Sequence, residues 1–149
     1  MRTPWKTLLA TGVLLAGLAP ASAAEMAYEV VDGGIPKPYS DKPGDPAEGR
    51  KVIINRKLGN CLACHEISAM PNQPFQGEVG PPLAGVAERY SEPQLRLIVT
   101  DAKQVFHDTV MPSFLKKTGF IRVTAELEGK SILTEQQVED VVAFLKTLQ

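Results

Sequence analysis

Two cysteines and a histidine stand together at Cys61-Leu62-Ala63-Cys64-His65. A thiol pair at this spacing can do three kinds of chemistry. It can supply half of a zinc site, cycle between dithiol and disulfide, or add across the vinyl groups of a haem and hold it by thioethers. Structural zinc wants four ligands, usually with a second pair. Cys61 and Cys64 are the only cysteines here, and His107 is the only other histidine. A zinc site would therefore consume every Cys and His in the chain. A redox CxxC belongs after a strand in a βαβ unit, and little strand pattern surrounds this one. The third chemistry uses all three residues. Two intervening residues make about one turn, which suits two vinyls on one edge of a macrocycle. The histidine beside Cys64 then comes under the iron and can ligate it through a ring nitrogen. The motif predicts one covalently bound haem c, with Cys61 and Cys64 as its thioether residues and His65 as an axial ligand.

Such a haem makes two further demands. Iron held by one histidine has a vacant sixth position. A soft thioether there favours Fe(II) over Fe(III) and raises the reduction potential. Met26, Met70 and Met111 lie beyond the first 24 residues. Met26 is in an N-terminal tail, and Met70 follows His65 too closely to reach the opposite face. Met111 follows it by 46 residues, enough to wrap round the ring, and Pro112 stiffens its backbone. Met111 is the expected sixth ligand, with His107 as its rival. The ligating histidine also needs an acceptor at its other ring nitrogen, to fix orientation and tautomer. A proline carbonyl of the rigid loop Gly80-Pro81-Pro82-Leu83 can serve.

Haem attachment through CxxCH presupposes export, and the N-terminus is built for it. Arg2 and Lys6 precede an apolar run from Leu8 to Leu18, too short to span a bilayer. Ala21-Ser22-Ala23-Ala24 supplies the small residues of a cleavage site. Residues 1–24 read as a signal peptide cut after Ala23 or Ala24, which implies a periplasmic protein. No cysteine sits at the cleavage site to carry a lipid, and no later stretch is long and apolar enough to cross a membrane. The mature chain of about 125 residues is one small domain. Its formal charge of -1 becomes about -3 once Arg2 and Lys6 leave. That argues against a nucleic-acid partner, which wants a basic surface. With both cysteines committed to haem, none remains as a catalytic thiol.

The elements that must position these residues can be read in turn. Residues 25–44 are rich in Gly and Pro and lack helical periodicity, so they form an extended arm. Met26, Tyr28, Val30, Val31, Ile35 and Tyr39 make it more apolar than a solvated linker needs, which suggests that it packs on a partner. The domain proper covers 45–149. Asp45 as N-cap, Pro46 at the first position and Glu48 in capping-box register start a helix that should run to about Leu58 and stop at Gly59. Gly49 in that helix costs stability unless another backbone approaches it. Residues 67–80 form a loop. Ser91-Glu92-Pro93-Gln94 caps a helix to about Thr100, with Leu95, Ile98 and Val99 on one face. Residues 118–130 are irregular, with a short hairpin suggested by alternation from Phe120 to Leu127. The last helix starts at Thr134, and Val138, Val141, Val142, Leu145 and Leu148 repeat at helical spacing.

Capped helix, CxxCH, Gly-Pro-x-Leu, Met-Pro, then an amphipathic last helix: this order resembles the class I cytochrome c fold, an all-α domain wrapped round one haem. The likeness covers roughly 45–149. It implies that the terminal helices cross with Gly49 against Phe144, that the Pro81 carbonyl faces the haem histidine, and that Leu83 lies against the ring. A narrower resemblance is to the SoxX family, the monohaem subunits of SoxAX cytochromes. It is carried by Gly44-Asp45-Pro46-Ala47-Glu48-Gly49-Arg50, the haem motif, Phe75-Gln76-Gly77, Gly80 to Val86, Leu95-Arg96-Leu97, Thr109-Val110-Met111-Pro112 and Ile132-Leu133-Thr134. The resemblance implies a heterodimer with a SoxA-like haem-containing subunit, transient contact with a SoxYZ-like carrier, and a downstream cytochrome as electron acceptor. The complex would act as an L-cysteine S-thiosulfotransferase, coupling thiosulfate to a carrier cysteine. This chain would relay the electrons and hold no catalytic residue of its own. The other readings are a diffusing periplasmic cytochrome c of another pathway and a haem sensor with an open sixth site.

Overall fold

The computed structural model describes residues 28–149; the expected signal peptide and Met26 lie outside them. The described residues form four α-helices: α1 Pro46–Ile54, α2 Val86–Arg89, α3 Glu92–Asp101 and α4 Glu135–Leu145, with short 3-10 turns at Cys61–Ala63 and Ala102–Gln104. Among the described residues the only strand-like pairing is the Val31–Gly34 bridge. The expected hairpin over 118–130 does not form. That stretch is a series of exposed turns, and Arg122 stands at a positive φ of 60°, which breaks an extended run.

Helix α1 starts as expected at Asp45, whose side chain accepts from the Ala47 N–H at 2.8 Å. Glu48 does not close a capping box; it pairs with Lys51 one turn on. The helix also ends four residues earlier than the sequence suggests. Asn55 leaves the helical region, and its side chain accepts from the Lys57 N–H at 2.9 Å in a local turn. Helix α4 starts with the Thr134–Gln137 box as expected. Its Val138, Val141, Val142 and Leu145 are all buried, as is Leu148 just beyond its end. Each such side chain is worth about 1.5–3 kcal/mol in burial, so this stripe is the main anchor of the core. It meets Val52 and Ile53 of α1 and Leu95 and Val99 of α3 in one cluster.

The α1–α4 crossing is close because Gly49 allows it. A Cβ at Gly49 would collide with the Asp140 carbonyl and come within 3.0 Å of the Phe144 Cβ. Gly49 and Phe144 thus meet as the cytochrome c resemblance implies. A carboxylate supports the same crossing: Asp140 Oδ1 accepts from the Asp45 N–H at 2.9 Å.

The arm is extended, but residues from Gly34 onward fasten to their own domain. The Ile35 N–H donates to the Pro93 carbonyl at 2.9 Å, and the Ile35 carbonyl accepts from Arg96 at 2.8 Å. Ile35 itself is buried. Arg96 is 1% exposed and also pairs with Glu139 and Glu92. The Tyr39 N–H donates to Glu139, and its hydroxyl lies 3.0 Å from that of Thr100. Burial pushes the Tyr39 phenol up to about 12, because the anion would be poorly solvated there. Among the described residues of the arm, the exposed large hydrophobic side chains are Val30 and Val31.

Candidate haem site

The haem motif is displayed by a single turn. Asn60 takes a left-handed conformation (φ 48°) and hands the chain to the 3-10 turn at Cys61–Ala63. The N–H groups of Cys64 and His65 both donate to the Cys61 carbonyl, at 3.1 and 2.9 Å. In such a turn side chains three apart eclipse one another, so residues 61 and 64 share one edge. The cysteines are not joined to each other. Burial pushes the Cys61 thiol up to about 12, so the apolar surroundings hold it as a neutral thiol.

His65 is fixed by the loop after it. Its Nδ1 lies 2.7 Å from the Pro81 carbonyl oxygen. A carbonyl can only accept, so Nδ1 carries the proton and the Nε2 lone pair is left available. Gly80 makes this contact possible. A Cβ there would press on the imidazole, within 2.6 Å of Nδ1 and 2.8 Å of Nε2. The Gly80 N–H meanwhile donates to the Cys64 carbonyl at 2.7 Å, and the Leu83 N–H to Glu66 at 2.9 Å. Leu83 is half-buried and packs against the core cluster. Arg89 adds a clamp that sequence reasoning did not find: its guanidinium donates to the Pro82 and Ala84 carbonyls at 2.9 and 2.6 Å. An arginine ending a four-residue helix has no periodicity or motif to single it out.

The two rival sixth ligands differ in setting. Met111 is half-buried and packs against the core, whereas His107 is exposed. The Met111 backbone is held from both sides. Its N–H donates to the Thr109 hydroxyl at 3.1 Å, and its carbonyl accepts from Lys103 at 3.0 Å. Ser113, two residues on, donates to buried Asp101 at 2.5 Å. Burial opposes ionisation of Asp101, but Ser113, Gln104 and Lys116 together hold its carboxyl below the usual range. Asp101 is the second residue missed from sequence, since a last-turn aspartate in α3 reads as solvated. Met70, by contrast, is 3% exposed within the core, where it fills space.

The chemistry of this donor set fits a covalently held haem: two unpaired cysteines on one edge, an imidazole with its tautomer set by a carbonyl, and a half-buried thioether on a pinned segment. The family model for cytochrome c matches residues 46–149. A chain of the solved crystal structure of SoxXA from P. pantotrophus is 43% identical, with a TM-score of 0.76, over 84% of this chain and 98% of that one. This chain is a cytochrome c of the SoxX family. No curated protein matches it by sequence. Membership makes it a haem protein with the fold of a class I cytochrome c and an electron-relay role. No described helix is long and apolar enough to cross a membrane.

Proposed function

We propose that this SoxX-type chain is the electron-accepting subunit of a periplasmic, heterodimeric SoxAX-type L-cysteine S-thiosulfotransferase. The observation that carries this reading is the 43% identity to a SoxXA chain over nearly its whole length. The bound haem would supply a one-electron Fe(III)/Fe(II) couple. One haem per chain follows from the single CxxCH motif. Cys61 and Cys64 would hold it, and His65 would ligate through Nε2 with Pro81 as the orienting acceptor. Met111 would be the second iron ligand, favoured over His107 by its half-buried, pinned position. Leu83 supports the ring.

The division of labour follows from what the chain lacks. Joining a carrier thiolate to thiosulfate forms one S–S bond and releases two electrons, and one haem iron accepts them singly. With both cysteines in thioethers and both axial positions filled, this chain would offer no thiol and no open iron position to a sulfur substrate and is poorly suited to transform one. The coupling belongs on a SoxA-like, haem-containing partner, with a SoxYZ-like carrier as transient thiol donor. A downstream cytochrome reoxidises this chain.

Purification of the native complex through a tag on this chain tests the reading. A stoichiometric second haem protein is expected. Thiosulfate should then reduce the haem of this chain only when the carrier and the partner are both present. A lone monohaem monomer, reduced by unrelated donors, would overturn the proposal.

A further inference from the structure

Phe75 is 79% exposed and stands at a φ of +63°, a backbone region that bulky residues rarely adopt. Its neighbours hold it there. The Gln76 side chain is saturated: Oε1 accepts from the Ile67 N–H at 2.6 Å, and Nε2 donates to the carbonyls of Met70 and Gln73 at 2.9 and 3.2 Å. The Gly77 N–H donates to the Leu62 carbonyl at 2.8 Å. Gly77 also abuts the Ala63 carbonyl so closely that no side chain would fit, and a Cβ there would lie 3.1 Å from the Cys64 Cα. Gln76 is thus locked onto the backbone of the 67–73 loop and Gly77 onto that of the haem-attachment turn, and Phe75 is left outside. The exposed Arg56 guanidinium lies 5.5 Å from its ring centroid, within cation–π range. Val79, two residues past Gly77, is 70% exposed.

An exposed phenylalanine at positive φ buries little within its own chain. Strain kept in this way marks a functional position more often than a packing one. Aromatic and arginine side chains are also the types that carry most energy in protein contacts. The location restricts the occupant. A haem held by Cys61 and Cys64 would lie at this turn, and an electron donor gains rate by docking near it, because tunnelling falls steeply with distance. Phe75, Arg56 and Val79 stand beside that turn.

We propose that Phe75, flanked by Arg56 and Val79, is the anchor by which the haem-bearing partner subunit docks over the Cys61–Cys64 turn. Gln76 and Gly77 are its positioning residues. The inference rests on the SoxX-type relay reading, which supplies the partner.

The test uses the haem-loaded chain and the partner subunit obtained with it. Phe75→Gly removes the ring and suits a positive φ, so the variant should fold at least as well as wild type. Its haem spectrum and potential should not change, while affinity for the partner falls at least about tenfold. Phe75→Tyr, which keeps the ring, should bind like wild type. Ile121→Ser, equally exposed but on the 118–130 loop, should also bind like wild type. Unchanged affinity of Phe75→Gly, or an equal loss with Ile121→Ser, would overturn the anchor while leaving the relay reading intact. Sedimentation showing that the wild-type chain dimerises through Phe75 would assign the patch to a second copy and overturn it as well. Failure of the wild-type chain to bind any haem-bearing partner would overturn the relay reading and this inference together.

Discussion

At the residue scale the site depends on which groups are held and by what. His65 is oriented by one hydrogen bond to Pro81, and that bond survives because Gly80 presents no side chain to the imidazole. Met111 is held by its backbone, through Thr109 and Lys103, and its side chain is left to find its own partner. Thioether ligation favours the reduced iron, so Met111→Ala in the haem-loaded chain should lower the midpoint potential. The drop should be a sizeable part of the about 0.8 V that axial ligands span across haem proteins. The same variant should gain affinity for carbon monoxide, which needs an open position. His107→Ala should change neither property. Redox titration of the two variants decides between them: a potential that follows His107 and ignores Met111 would reverse the ligand assignment.

At the element scale the crossing of α1 and α4 is the joint that sets the rest. The haem-attachment turn follows α1 after six residues, so any displacement of α1 moves Cys61 relative to the core. The joint is tight because Gly49 brings one helix backbone against another, and the buried stripe of α4 supplies the attraction. Gly49→Ala gains helix propensity of about 1 kcal/mol, but its Cβ would collide with the Asp140 carbonyl, which is backbone and cannot swing away. Overpacking should win, with a net loss of about 1–3 kcal/mol in chemical denaturation. A variant as stable as wild type would mean that the helices separate at little cost.

At the scale of the whole molecule, the arm is a strap that closes the domain. Ile35 and Tyr39 join it to α3 and α4 through Arg96 and Glu139, a buried ion pair that also reaches Glu92. Lys146 of the C-terminal segment pairs with Glu92 as well. Stability depends on pH at both ends. Glu92, paired with Lys146 and Arg96, and Asp101 both have carboxyls lowered in the folded state. Their contribution is present above the unfolded carboxylate range and is lost as pH falls through their folded values. Tyr39 works in the opposite direction. The unfolded chain releases its proton near 10, whereas the folded chain keeps it to about 12, so stability falls as pH rises across that interval. Tyr39→Phe should remove this alkaline component. Denaturation midpoints of wild type and variant should differ by a constant amount below pH 10, the lost Thr100 hydrogen bond, and should converge above it. Parallel curves throughout would show that the phenol is solvated.

The local features were legible along the chain because their causes are local. The haem motif, the N-terminal caps at Asp45, Ser91 and Thr134, and the stripe of α4 each depend on residues within a few positions of one another. Their spacing therefore carried the element type and the class of cofactor. The pairing of Gly49 with Phe144, and of His65 with Pro81, was reached through family likeness, since neither pair has a local signal. Other features stayed hidden until the chain folded. Asn55 ends α1 early through a side-chain bond that competes with the helix, although Gly59 looked like the natural stop. Arg96 is a surface residue by composition and becomes a buried clasp because Glu139, 43 positions away, neutralises it. Arg89 and Asp101 gain their roles from carbonyls and hydroxyls that other segments bring to them. Phe75 is turned outward because Gln76 is claimed by the 67–73 loop and Gly77 by the haem turn. A charge or a ring is inside or outside according to its partners, and partners distant in the chain meet only when the helices pack.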